Sequence, residues 1–263
     1  MKWFYSKRKD FFGSRIFAIA AEYGNLENMK WLYSIHCSCD EKTFSMAARY
    51  GNLENMKWLY LINCKYDRWT FYEAVIKGNL ENMKWLKSIN CPIDKEELSN
   101  AARYGNLKNM KWLYNNGCIC DNYTFYRAII NGNLENIKWL SSIITNKKKD
   151  AIEKSALYGN LESMKWLYEN NFPYDYGVFN RAIECGNIKI LDWLLEKKFP
   201  YNNYIFGIAL ETEKLQVIKW VIENKLKVTF NVLFSYKYFN KINPRKREYK
   251  NRLEILKYLI KNK

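Results

Sequence analysis

One nine-residue string, GNLENMKWL, constrains this chain more than any other feature. It begins at Gly24 and returns at Gly51, Gly78, Gly105, Gly132 and Gly159 with at most one change each time. Looser copies open at Gly186 (GNIKILDWL) and Glu213 (EKLQVIKWV). Successive anchors lie 27 residues apart across eight copies. A unit that short cannot bury an apolar face by itself, so neighbouring units must stack and share a core. The ends depart from the pattern, as an open-ended stack requires. MKWFY at Met1 echoes the second half of a unit, and LEILKYLI from Leu253 echoes LENMKWLY but arrives 11 residues late. The spacing predicts one solenoid over residues 1–263. It has a partial unit at 1–12, regular units over about 13–228, and a divergent capping unit at 229–263 with a basic insertion at 241–250.

Each unit reads as two helices. Asp40 is placed to cap the first by accepting from free backbone N–H groups, and Asp67, Asp94, Asp121 and Asp175 share its column. The first helix carries a large apolar residue (Phe17, Phe44, Phe71, Leu98, Phe125, Ile152, Phe179, Phe206) and, three places on, a small one. The small column runs Ala20, Ala47, Ala74, Ala101, Ala128, Ser155, Ala182, Ala209. A spacing of three puts both columns on one face, and alanine lets helix backbones approach closely. The anchor glycine ends the first helix, and the next residue, such as Asn52, caps the second. In that second helix Leu53, Met56, Leu59 and Tyr60 cover one arc, while Trp58 points to the opposite side. A helix apolar on opposite sides must be sandwiched. The pattern predicts an all-α fold, and the scarcity of glycine (11) and proline (4) argues against a turn-rich β fold.

Charge separates the ends from the body. The net charge is +16, yet residues 24–223 hold 26 basic and 23 acidic side chains, whereas residues 224–263 hold 12 and 2. No apolar run approaches the ~20 residues of a membrane helix, and the first residues lack the apolar run of a secretory leader. The expectation is an intracellular, cytoplasmic protein without a membrane anchor, with the nucleus as the alternative compartment.

The run TFSMAARYGNLENMKWLY (Thr43 to Tyr60) resembles the core of an ankyrin repeat. The alanine pair, the glycine, the apolar residue two places later and the apolar pair seven and eight places later match in spacing. Two departures accompany the likeness. The ankyrin unit has 33 residues, so six are missing where the family builds its β-hairpin finger, which predicts short or absent fingers. The family's Thr-Pro-Leu-His turn is replaced by Thr43-Phe44-Ser45-Met46. Short units rich in tryptophan, asparagine and lysine resemble the ankyrin-like proteins of giant amoeba-infecting viruses. The resemblance implies a non-catalytic scaffold that binds another protein, with the first helices lining a concave surface.

Several columns invite sharper readings. Cys37, Cys64, Cys91 and Cys118 share a column that the ankyrin family fills with a small residue. Stacked layers ~8–10 Å apart exceed the ~7 Å limit for a disulfide, and His36 is the sole histidine, so buried thiols are expected rather than a metal site. The tryptophan column (Trp31 to Trp220) could stack bases, but a residue demanded in every unit is demanded by the unit, which predicts core. The lysine column (Lys30, Lys57, Lys84, Lys111, Lys138, Lys165, Lys219) could follow phosphates, but glutamate precedes it by three residues in most copies and neutralises it. With one histidine and no Gly-Lys-Ser/Thr motif, no catalytic residues and no cofactor are assigned.

Positions that vary between units are free to encode a partner. Two such columns on the first helix read Lys42, Trp69, Glu96, Tyr123, Asp150, Gly177, Tyr204 and Ser45, Tyr72, Ser99, Tyr126, Glu153, Asn180, Gly207. Trp69, Tyr72, Tyr123 and Tyr126, with Arg127 beside them, form a candidate aromatic cluster of the residue types that dominate interfaces. The same aromatics could instead pack against each other across units. The alternative function is nucleic-acid binding or nuclear import through the basic patch Lys241, Arg245, Lys246, Arg247 and Lys250, opposed by the single acid Glu248. Lys147, Lys148 and Lys149 form a smaller basic cluster. The protein is expected to be a monomer.

Overall fold

The computed structural model describes residues 13–50, 53–144, 150–226, and 254, 255, 257 and 258. The chain divides into two compact units, Met1–Thr145 and Asn146–Lys263. In the first unit the helices are α1 (Ser14–Glu22), α2 (Leu26–Ser34), α3 (Glu41–Tyr50), α4 (Leu53–Leu61), α5 (Arg68–Lys77), α6 (Leu80–Ser88), α7 (Glu97–Tyr104), α8 (Leu107–Asn115), α9 (Asn122–Asn131) and α10 (Leu134–Ile143). In the second they are α11 (Ala151–Leu157), α12 (Leu161–Glu169), α13 (Gly177–Cys185), α14 (Ile188–Glu196), α15 (Ile205–Glu211) and α16 (Leu215–Glu223). No strand occurs among the described residues, and short loops stand where hairpin fingers would be. Helices of 7 to 10 residues are unstable alone in water, so packing between them holds the fold.

In each unit of the chain the odd-numbered helices form one row. The contacts run α1–α3–α5–α7–α9 in the first unit and α11–α13–α15 in the second, and each even-numbered helix packs on the odd one before it. The alanine column explains the row: Ala20, Ala47, Ala74, Ala101 and Ala128 are all buried at the helix contacts. Phe17, Phe44, Phe71, Met29, Met56, Met83, Leu32, Leu59 and Leu86 are fully buried beside them.

Backbone caps close most of the described helices. After the odd helices, Gly78, Gly105, Gly132 and Gly186 take left-handed backbone angles as C-terminal caps. Glu213 adopts the same angle (φ 55°) where the other repeats have glycine. The even helices close with the same backbone pattern but mostly other residues at the left-handed position. His36, Asn63, Asn90, Gly117, Asn171, Lys198 and Lys225 are left-handed, and the next N–H reaches back five residues, as in Cys64 N–H to the Leu59 carbonyl at 2.9 Å. This is the Schellman arrangement, whose last residue packs against the helix it closes. It explains the cysteine column. Cys37, Cys64, Cys91 and Cys118 are buried, and their thiols donate to the carbonyls of Gly13, Asp40, Asp67 and Asp94, 24 residues earlier. His36 thus occupies a backbone position that histidine and asparagine tolerate.

The asparagine that opens an even helix serves two repeats at Asn106, Asn133 and Asn187. Asn106 accepts from the Asn109 N–H at 3.1 Å and donates through Nδ2 to the Gly78 carbonyl at 3.1 Å. Asn133 repeats this with Asn136 and Gly105. Lys214 replaces the asparagine in the last repeat, and its ammonium reaches the Glu184 and Cys185 carbonyls instead. A second asparagine column, Asn55, Asn82, Asn109 and Asn136, is completely buried, and Asn82 donates to the Ala48 carbonyl.

The tryptophans sit between repeats. Trp58 stacks on Phe17 (centroids 6.3 Å apart, 15° between planes) and meets Tyr33 edge-on at 5.8 Å. Trp85 does the same with Phe44 and Tyr60. The rings are sandwiched but half-buried, with an edge at the surface, except for the buried Trp220. The sandwich expected from the two-sided helix is present, with less complete burial than a core column implies.

Candidate functional site

The variable positions of the odd helices fall on one side of the first unit, beside buried columns. Trp69 is 53% exposed and Tyr123 is 52% exposed. Both sit in the first turn of helices started by capping boxes. Asp67 accepts from the Thr70 N–H while the Thr70 hydroxyl faces the Asp67 N–H, and Asp121 and Thr124 repeat the exchange. The turns are therefore rigid, and the exposed rings start from fixed backbone.

The candidate cluster resolves into two pairs. Trp69 and Tyr72 meet edge to face at 5.5 Å, and the Arg68 guanidinium lies 5.3 Å from the Trp69 ring. Across α7, Arg127 lies 5.3 Å from the Tyr123 ring. Tyr72, Tyr126 and Arg127 are half-buried. Helix α7 stands between the pairs, packing on α5 and on α9. The second variable column is not freely outward: Ser45 and Ser99 are buried, their hydroxyls bonded to the Lys42 and Glu96 carbonyls. Lys241, Arg245, Lys246, Arg247 and Lys250 lie outside the described residues, as do Lys147, Lys148 and Lys149. The lysine column is neutralised as expected, with Lys30–Glu27, Lys84–Glu81, Lys138–Glu135 and Lys165–Glu162 pairs at 3.0–3.2 Å.

Two hollows flank α7. One, of ≈ 620 Å³, is lined by Trp69 and Tyr72 from α5 and by Asp94, Glu96, Glu97 and Asn100. The other, of ≈ 310 Å³, is lined by Tyr123 and Thr124 with Ser99, and shares Glu96 and Ile119 with the first. Beside the larger one, α7 starts late. By the repeat, α7 would open at Lys95, as α5 opens at Arg68, yet its first residue is Glu97. Asp94 does not cap it; no side chain does. Thr43, Thr70 and Thr124 fill a buried column and close their capping boxes, whereas Glu97 stands in that column and closes none; the helices at Ala151 and Ile205, which also lack the threonine, open at the same position.

Glu97 is 2% exposed. Burial pushes its carboxyl up to about 7; Asp94 and Glu96 add to this, and the Asn100 amide, donating to Oε2 at 3.2 Å, opposes it. Tyr72 is raised as well, first by burial, then by Tyr104, Glu73 and Glu97. Sequence reading passed over Glu97, although a signal existed: Thr43, Thr70, Thr124, Ala151, Val178 and Ile205 are its counterparts, and none can carry a charge.

No protein-family profile matches the sequence, and no curated protein matches it. Solved structures do match. The crystal structure of the human ASB11 ankyrin repeat domain superposes with a TM-score of 0.52 at 15% sequence identity, covering 70% of this chain and 96% of that one. The fold is ankyrin-like.

Proposed function

We propose that this chain is a non-catalytic scaffold that binds another protein through the exposed face of the odd helices around Trp69, Tyr72, Tyr123, Tyr126 and Arg127. One observation carries the reading. Large aromatic rings, clamped by neighbouring arginines, stand more than half exposed on rigid capped turns, while the repeat-defining residues beside them are buried. Exposed aromatics with arginine are the residues that anchor protein interfaces, and rigid placement lowers the entropy lost on binding. The sequence pattern further supports one solenoid over residues 1–263, an intracellular monomer, and an origin in a giant amoeba-infecting virus.

The test is capture of partners from a host-cell lysate by wild type and by a Trp69→Ala/Tyr126→Ala double variant of unchanged helicity. Loss of specific partners in the variant supports the reading, and recovery of the same set defeats it. The charge of residues 224–263, with 12 basic against 2 acidic side chains, favours a second reading, nucleic-acid binding. That reading requires affinity that falls steeply with salt and disappears when residues 241–263 are deleted.

A further inference from the structure

Glu97 is an anomaly that the scaffold reading does not absorb. A glutamate occupies a column otherwise filled by threonine or apolar residues, all buried in their own repeats apart from the half-buried Ile16. In its repeat the capping box is absent and α7 opens two residues late. What the chain receives in exchange is a hollow with an acid at its floor and aromatic rings on its wall.

We propose that the hollow between α5 and α7 is a receptor for a lysine side chain of the partner protein, its stem lying against Trp69 and Tyr72 and its ammonium meeting Glu97. The proposal rests on the protein-binding reading and names the chemistry of the partner.

Three observations support a cation, and lysine in particular. First, the lining carries Asp94, Glu96 and Glu97 against Arg68 and Lys95, a local acidic excess in a chain of net charge +16. Second, the hollow already holds one cation in this way. The Arg68 guanidinium lies 5.3 Å from the Trp69 ring and 3.9 Å from Asp94. Asp94 is therefore engaged and Glu96 is exposed to solvent, which leaves Glu97 as the buried acid for a ligand. Third, one Glu97 oxygen accepts from the Asn100 amide. A guanidinium fork pairs best with both oxygens of a carboxylate, whereas an ammonium is a compact charge that one oxygen can hold. Because Glu97 lies at the floor, a ligand also needs a slender apolar stem to pass the rings, which a lysine's four carbons supply. Aromatic walls around a desolvated ammonium add cation–π attraction. Among the described residues no three acids, cysteines or histidines are grouped to hold a metal ion.

The experiment uses the full chain, ¹⁵N-labelled, with the Trp69 indole resonance assigned by its loss in Trp69→Phe. The probe is Nα-acetyl-lysine methylamide; the comparisons are the norleucine and arginine analogues. A saturable shift with the lysine probe is expected, none with norleucine, and a weaker response to arginine. In Glu97→Gln, which keeps size and shape, the apparent affinity falls about tenfold. No saturable shift with lysine, an equal response to norleucine, a tighter response to arginine, or unchanged affinity in Glu97→Gln each overturns the proposal. Partner capture separates the two levels. If Glu97→Gln captures partners at wild-type affinity while Trp69→Ala/Tyr126→Ala does not, the lysine receptor fails and the scaffold stands. If both variants capture normally, the scaffold face itself fails.

Discussion

Replacing Glu97 by glutamine should make the protein more stable at neutral and alkaline pH, which is an unusual expectation for a buried residue. The carboxyl sits at about 7 instead of its ordinary 4.5, with burial as the largest cause. A displacement of that size makes the carboxylate about 3 kcal/mol less stable in the folded protein than in the unfolded chain. The sign follows from proton uptake. Between pH 4.5 and about 7 the folded protein holds the proton that the unfolded chain has released, so wild-type stability falls as pH rises through this window. Below it both states are protonated and the penalty is absent; above it both are ionised and the penalty is complete. The titratable groups facing Glu97 are Asp94 and Glu96 on its own segment, which are charged, with the neutral Tyr72 across the hollow and the neutral Cys118 on the following loop. Denaturant unfolding followed by circular dichroism, at steps from pH 4 to pH 8.5, measures the difference between variant and wild type. That difference should grow from near zero to about 3 kcal/mol across the window. A difference independent of pH would refute the buried carboxylate. Glu97→Thr should add a further ~1 kcal/mol by rebuilding the capping box with Asp94.

Three further outcomes follow from the repeat chemistry. Asn106→Ala removes both the cap on Asn109 and the bond to the Gly78 carbonyl, and should cost about 1–3 kcal/mol in the same unfolding assay. Glu213→Gly relieves a left-handed backbone angle and should stabilise by about 1 kcal/mol, seen as a rise in Tm. At pH 8, iodoacetamide followed by mass spectrometry should leave Cys91 and Cys118 unmodified in the folded protein. Burial pushes these thiols up to about 12 and about 11, and only the thiolate reacts.

Much of this architecture is legible in the sequence because repetition averages out accident. A glycine that recurs every 27 residues marks a left-handed cap, since few other residues take that angle without strain. An alanine column marks a close helix contact for the same steric reason. The aromatic cluster was only half legible. Trp69, Tyr72, Tyr123 and Tyr126 share variable columns, but the division of Trp69 and Tyr72 from Tyr123 into two hollows depends on α7, which lies between them. Asn82 illustrates the other limit. The sequence pattern assigns it no role, yet it is fully buried and its amide donates to the Ala48 carbonyl of the preceding repeat.

The sequence by itself determined the repeat length, the helical character, most of the caps and the core columns, because these depend on local steric and hydrogen-bonding rules applied at regular spacing. Tertiary structure alone decided which polar groups lie inside, how each tryptophan is divided between neighbours and surface, and where a hollow opens around Glu97. Those outcomes depend on groups 24 to 41 residues apart meeting across a repeat boundary, and the free energy of burial is set by that neighbourhood and by no single position in the chain.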